Sequence, residues 1–93
     1  MYTVYILLCK DDTLYTGVTT DIKRRFLEHI EGRGARYTRA HGAKSILYVE
    51  NKRGRSSAQK REAKIKKMKR EEKLLLITKY SKGNKLDAVT EKQ

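Results

Sequence analysis

Three scarcities narrow what this chain can be. It has a single cysteine, Cys9, so no internal disulfide can form. It has no apolar run of transmembrane length, and Met1 leads straight into a strand-like pattern with no signal peptide. It is poor in acid: 11 Asp and Glu stand against 23 Lys and Arg. The first two point to a reducing compartment, expected to be the cytoplasm, although a nucleus-like space fits as well. Cys9 lies in an apolar run and reads as a small buried hydrophobe. No internal repeat is visible.

The 93 residues suffice for one domain with a thin core. We expect it to span residues 1–80, with 81–93 as a flexible basic and polar tail. The net charge of +12 is concentrated. From Lys52 to Lys73 there are eleven basic residues against Glu62, Glu71 and Glu72, a net of +8. A patch of that kind is the usual footprint of a phosphate backbone, with Lys66 and Lys69 as candidate contacts. A solvated helix face or an anionic membrane surface would carry the same charge.

The segment Tyr2 to Cys9 (YTVYILLC) reads as a strand, Lys10-Asp11-Asp12 as a turn, and Leu14 to Thr19 (LYTGVT) as a second strand. A helix follows near Asp21, capped by Thr19 or Thr20, with Ile22, Phe26 and Ile30 as its apolar stripe. Arg25 and His29 flank that stripe, and Arg24 falls on the solvent side. Gly32 is a plausible cap at its end. Residues 34–44 read as polar and irregular, and Ser45 to Glu50 as a third strand. Ser56 and Gln59 form a capping-box pattern that starts a helix near Ser57. Its inward positions are Ala58, Glu62, Ile65 and Met68. Lys60, Lys64 and Lys67 point outward. A last helix, 71–80, turns Leu74, Leu75 and Ile77 to the core. The layout is ββαβαα: an α+β domain with a small, mainly antiparallel three-stranded sheet flanked by helices.

Hairpin register decides whether Tyr5 and Tyr15 share a face. A two-residue Asp11-Asp12 turn places them on opposite faces. An odd loop sets Leu7 against Tyr15 and Tyr5 against Gly17, so that both rings project from one side. Asp-Asp is a weak type I′ pair, which favours the odd loop. Gly17, in a strand interior, marks either a bulge or room for a ligand to approach.

Glu62 is the most informative anomaly, a carboxylate on the inward side of a basic helix. Burying it unpaired would cost several kcal/mol. Either an arginine pairs with it or it serves as an oxygen ligand for Mg²⁺ or Mn²⁺. Arg25 is either a phosphate-binding fork or a snorkelling side chain. His29 is either a packing residue or a group that orients, or takes a proton from, a tyrosine hydroxyl. Tyrosine, with an ordinary pKa of about 10, needs nearby cations to act near neutral pH.

Val4-Tyr5-Ile6, Tyr15-Thr16-Gly17, Arg25 eight residues past that glycine, and then Glu62 form an ordered set. It resembles the GIY-YIG nuclease family. Gly34-Ala35-Arg36-Tyr37-Thr38 and Ala58-Gln59-Lys60-Arg61-Glu62 resemble its small bacterial stand-alone members, relatives of the catalytic subunit of Slx-type structure-specific nucleases. The resemblance covers residues 2 to 79. It implies a metal-dependent endonuclease acting on nucleic acid, DNA before RNA, in repair- or recombination-like structures. Tyr15 would be the base or position the attacking water, with Tyr5 in support. Arg25 would bind the scissile phosphate, His29 would assist, and Glu62 would hold one divalent ion. Gly17, Arg36, Tyr37 and Thr38 would join Lys66 and Lys69 in binding substrate. The motifs read VYI and YTG here, keeping both tyrosines and the second glycine. The Asn that several relatives place beyond the metal-binding helix has no counterpart before Asn84, and it is not carried over. Larger relatives add binding domains. Here target selection is expected to fall to the basic helix, a homodimer or a protein partner. A non-cleaving binding module on the same fold, or an RNA-bound basic protein, are the competing readings.

Overall fold

The unbroken apolar run of the first strand places it at the centre of the sheet. In the computed structural model, which describes residues 1–83, β1 (Tyr2–Cys9) pairs antiparallel with β2 (Leu14–Thr19) on one side and β3 (Ala43–Lys52) on the other. Val4, Tyr5, Ile6 and Leu7 are all buried, two on each face. A strand covered on both faces needs apolar side chains at every position, not at alternate ones. Cys9 is buried too, and burial raises its thiol pKa, so it acts as a packing group.

Helices cover both faces. Val4 and Ile6 pack with Tyr48 beneath α3 (Arg55–Lys66) and α4 (Arg70–Gly83). Tyr5 and Leu7 pack with Ala43 beneath α1 (Ile22–Ile30), where Ile22 and Phe26 close over them. A further short helix, α2 (Arg36–His41), follows α1. The order is thus ββααβαα within the expected class, and α2 corrects the irregular segment read there. Glu50 ties α3 to β3, with its carboxylate 3.0 Å from Arg61 Nε and 2.7 Å from Lys52 Nζ.

Several local expectations change. Asp21, not Thr19 or Thr20, caps α1, its carboxylate accepting from the Arg24 amide at 3.1 Å. Thr19 Oγ1 instead accepts from the Asp21 amide at 3.1 Å. α3 begins at Arg55 behind Gly54 with no side-chain cap, so the Ser56–Gln59 box does not form. Ile30 is exposed and His29 is buried in its place. On α4, Leu76, Ile77 and Tyr80 reach the core while Leu74 and Leu75 face solvent. α4 runs to Gly83. The rest of the expected tail, 84–93, lies outside the described residues. Among the described residues no helix is long and apolar enough to cross a membrane.

Candidate active site

Register brings the two tyrosines together. Leu7 stands opposite Tyr15 and Tyr5 opposite Gly17, as the odd loop requires. Lys10-Asp11-Asp12 makes the connection, with the Asp12 amide donating to the Cys9 carbonyl and Asp12 at φ 68°. An acidic residue tolerates that left-handed position better than most. The Tyr5 and Tyr15 rings lie 6.3 Å apart on the α1 side of the sheet.

Their surroundings differ. Tyr5 is 1% exposed. Its hydroxyl sits 2.8 Å from His29 Nε2, and His29 Nδ1 lies 2.6 Å from Thr38 Oγ1. Burial pushes the Tyr5 phenol up to about 12; Tyr15 adds to the rise and the Arg25 guanidinium opposes it. Burial also lowers the His29 pKa, with Arg25 adding to the effect, so its imidazole is neutral at physiological pH. Tyr15 is only half buried, its ring edge-on to His29 at 5.3 Å and stacked on Tyr37 at 5.8 Å. Among the described residues its hydroxyl has no hydrogen-bond partner and is not sealed off. It is the tyrosine placed to meet water.

The space above Gly17 is taken by Tyr5. A Cβ there would lie 2.5 Å from the Tyr5 hydroxyl oxygen and 2.7 Å from its ring carbon. The glycine makes room for a neighbouring side chain, which is neither the bulge nor the ligand space between which the sequence left it open. Gly17→Ala is expected to displace the Tyr5 ring and destabilise the fold by about 1–3 kcal/mol, as overpacking does, measurable by urea denaturation.

A cavity of about 490 Å³ opens beside β2, between α1 and α3. Arg25 and Glu28 enter it from α1, and Arg55, Gln59 and Glu62 from α3. Helices on opposite faces of the sheet therefore meet at one edge. The Glu62 side chain is 23% exposed and pairs with Lys66 at 3.2 Å. It lines the cavity, partly exposed, and pairs with a lysine of its own helix rather than with an arginine. Arg25 Nη1 donates to Glu28 Oε1 at 2.9 Å, and its positive charge lies near enough to Tyr5 to oppose the rise in that phenol's pKa. Arg24, read as a solvent residue, is exposed but also lines the cavity.

The remaining candidates lie elsewhere. Thr38 is buried against His29 and is not open to substrate. Tyr37 stacks between Tyr15 and His41, and Arg36 is exposed at the start of α2. Lys66 reaches Glu62 at the margin, whereas Lys69 is exposed on the segment joining α3 to α4. Two residues' places in the site went unread in the sequence. Glu28 was legible from its spacing, three and four residues past Arg25 and Arg24. Gly34 was read only as the start of the motif that runs to Thr38, and its contact with His29 was not foreseen. A Cβ there would overlap the His29 ring, so only glycine lets the ring lie where it does.

The phenol shift has a measurable consequence. Unfolded tyrosine ionises at about 10 and folded Tyr5 at about 12, so the folded state holds the proton more tightly. The associated stability, on the order of 2–3 kcal/mol, is full below about pH 10 and lost as pH rises through about 12. Tyrosinate absorbance followed with circular dichroism is expected to show a tyrosine that ionises only at about pH 12, together with unfolding. Tyr5→Phe removes that step.

Tyr5 and Tyr15 share one face of the sheet, while Arg25 and Glu62 line the cavity at its β2 edge, which neither tyrosine lines. The family model described as the GIY-YIG catalytic domain matches residues 1–75, and the chain belongs to the GIY-YIG family. A UPF0213 protein of Clostridium perfringens is 46% identical over 78 residues, covering 84% of each chain. One of Oceanobacillus iheyensis is 46% identical over 74 residues, covering 80% of this chain and 86% of that protein. The solution NMR structure of the UPF0213 protein of Bacillus halodurans is 38% identical, with a TM-score of 0.55 over 84% of both chains. The family supports an endonuclease type of function, a nucleic-acid substrate and a divalent metal in general.

Proposed function

We propose that this protein is a divalent-metal-dependent endonuclease that hydrolyses phosphodiester bonds in DNA of branched or flapped form. The observation that carries the reading is the convergence of Arg25 and Glu62, from helices on opposite faces of the sheet, on one open cavity. Arg25 presents a guanidinium fork to the scissile phosphate. Tyr15, with its hydroxyl unpaired, positions the attacking water. Tyr5 and His29 act from beneath rather than on the substrate.

The donor set fits a hard cation. Glu62 and Gln59 bring oxygen donors to the cavity, and among the described residues no cluster of three or more His, Cys, Asp or Glu forms a closed cage. Mg²⁺ or Mn²⁺ needs only one or two carboxylates when substrate oxygens and water complete its shell, so Glu62 would hold one such ion. Bound there, the ion would supply stabilisation of negative charge on the leaving oxygen. The basic stretch, including Lys66 and Lys69, would hold the backbone and recruit nucleic acid in the cytoplasm.

The test is a cleavage assay on flapped, branched and single-stranded DNA, and on the RNA counterparts, with Mg²⁺ or Mn²⁺. Wild-type protein is expected to leave a 5′-phosphate and a 3′-hydroxyl, with affinity falling steeply as salt rises. Salt-sensitive binding without cleavage under any metal would make this a binding module instead.

A further inference from the structure

The proton direction in the buried chain beneath the cavity follows from its acceptors. Thr38 Oγ1 donates to the Ala35 carbonyl at 3.0 Å, spending its only proton. With that proton on the Ala35 side, the same oxygen accepts from His29 Nδ1 at 2.6 Å, an arrangement that assigns the imidazole proton to Nδ1. Nε2 is left bare, and the Tyr5 hydroxyl 2.8 Å away must donate to it. With its proton committed inward, the Tyr5 oxygen has only lone pairs to offer the Arg25 guanidinium, whose charge acts on it. Tyr5, His29 and Thr38 are all buried. Gly34, which a Cβ would push into the His29 ring, keeps Nδ1 within reach of Thr38.

We propose that Thr38 is a positioning residue for Arg25: by fixing His29 as the Nδ1–H tautomer it turns the Tyr5 oxygen into an acceptor that, together with Glu28, aims the guanidinium into the cavity. This rests on Arg25 being the phosphate-binding group of the proposed nuclease. It gives the short helix α2 a purpose that its exposed side chains do not, because α2 is the element that carries Thr38. It also explains why the tyrosine of the first motif is sealed from substrate.

Two measurements on the full chain test it. Imidazole nitrogen shifts of ¹⁵N-labelled protein near neutral pH are expected to show His29 with a protonated Nδ1 and a bare Nε2. The opposite tautomer, or a doubly protonated ring, would overturn the proposal whatever the enzymatic result. The second is a mutant cycle. Thr38→Val is expected to lower kcat by about tenfold with DNA affinity unchanged, as a misaimed catalytic group does, and Thr38→Ser to restore it. In an Arg25→Ala background the Thr38→Val effect should shrink below about twofold, because it acts through the missing side chain. Equal losses in both backgrounds would show that Thr38 only supports the fold. If wild type cleaves nothing, the nuclease reading fails. The Arg25 Nε resonance then decides this proposal, since it should shift in Thr38→Val and return in Thr38→Ser. If Thr38→Val does not fold, the wild-type tautomer alone stands or sinks the idea.

Discussion

Arg25→Ala is expected to reduce cleavage by about 10²–10³ while DNA affinity changes only a few fold. Removing one preorganised donor to a developing negative charge typically costs about 3–4 kcal/mol of transition-state stabilisation. Binding should survive, because the net +8 between Lys52 and Lys73 is untouched and backbone affinity follows the number of neutralised phosphates. Stability should survive as well. The Arg25–Glu28 pair is partly solvated, at 31% and 24% exposure, and such pairs contribute at most about 1 kcal/mol. Arg25→Lys should recover only part of the loss, because an ammonium keeps the charge but cannot serve Glu28, Tyr5 and a phosphate with one planar fork. Arg24→Ala is the control. Arg24 lines the same cavity but is largely exposed and only 3.9 Å-paired with Glu28, so it should shift affinity more than kcat. Equal kcat losses for Arg24→Ala and Arg25→Ala would remove the case for a specific phosphate fork.

Some of this arrangement is legible in the sequence, and the misreadings have physical causes. The shared tyrosine face was readable because strand side chains alternate with a period of two, so only loop parity mattered. The buried stripe of α1 was misread because a search for apolar residues picks Ile30 at i+8. The helix turns 100° per residue, so the position that best continues Ile22 and Phe26 is i+7, which is His29. A polar residue occupies it because Tyr5 and Thr38 satisfy both ring nitrogens. Helix α2 was invisible for a related reason. It is six residues long, and its buried member is Thr38, so no apolar period exists to detect. In Leu74-Leu75-Leu76-Ile77 every position is apolar, and the pattern could not say which side faces the core. Glu62 was correctly placed on the inward side of α3, but its burial was overstated. The helix reaches past the sheet edge there, and the inward direction opens into the cavity.

Glu62→Gln is expected to cost about 10³ in cleavage rate at saturating DNA, with affinity unchanged or slightly higher. The substitution keeps the shape and one oxygen but removes the only charge on α3 suited to a hard cation, while the stabilisation such an ion supplies is several kcal/mol. Each 1.36 kcal/mol is about tenfold in rate, so a thousandfold loss corresponds to about 4 kcal/mol. Affinity should not fall, because the variant removes a negative charge from a surface that meets phosphates. Raising the metal concentration should restore part of the rate, since a weakened site is filled by mass action. Lys66→Ala separates this effect from loss of the 3.2 Å Glu62–Lys66 pair. A helix pair of that spacing contributes about 0.3–0.5 kcal/mol, so its loss should scarcely alter stability and should leave the metal dependence intact. Cleavage by Glu62→Gln within threefold of wild type, with the same metal dependence, would place the ion elsewhere and leave Glu62 as a partner for Lys66 alone.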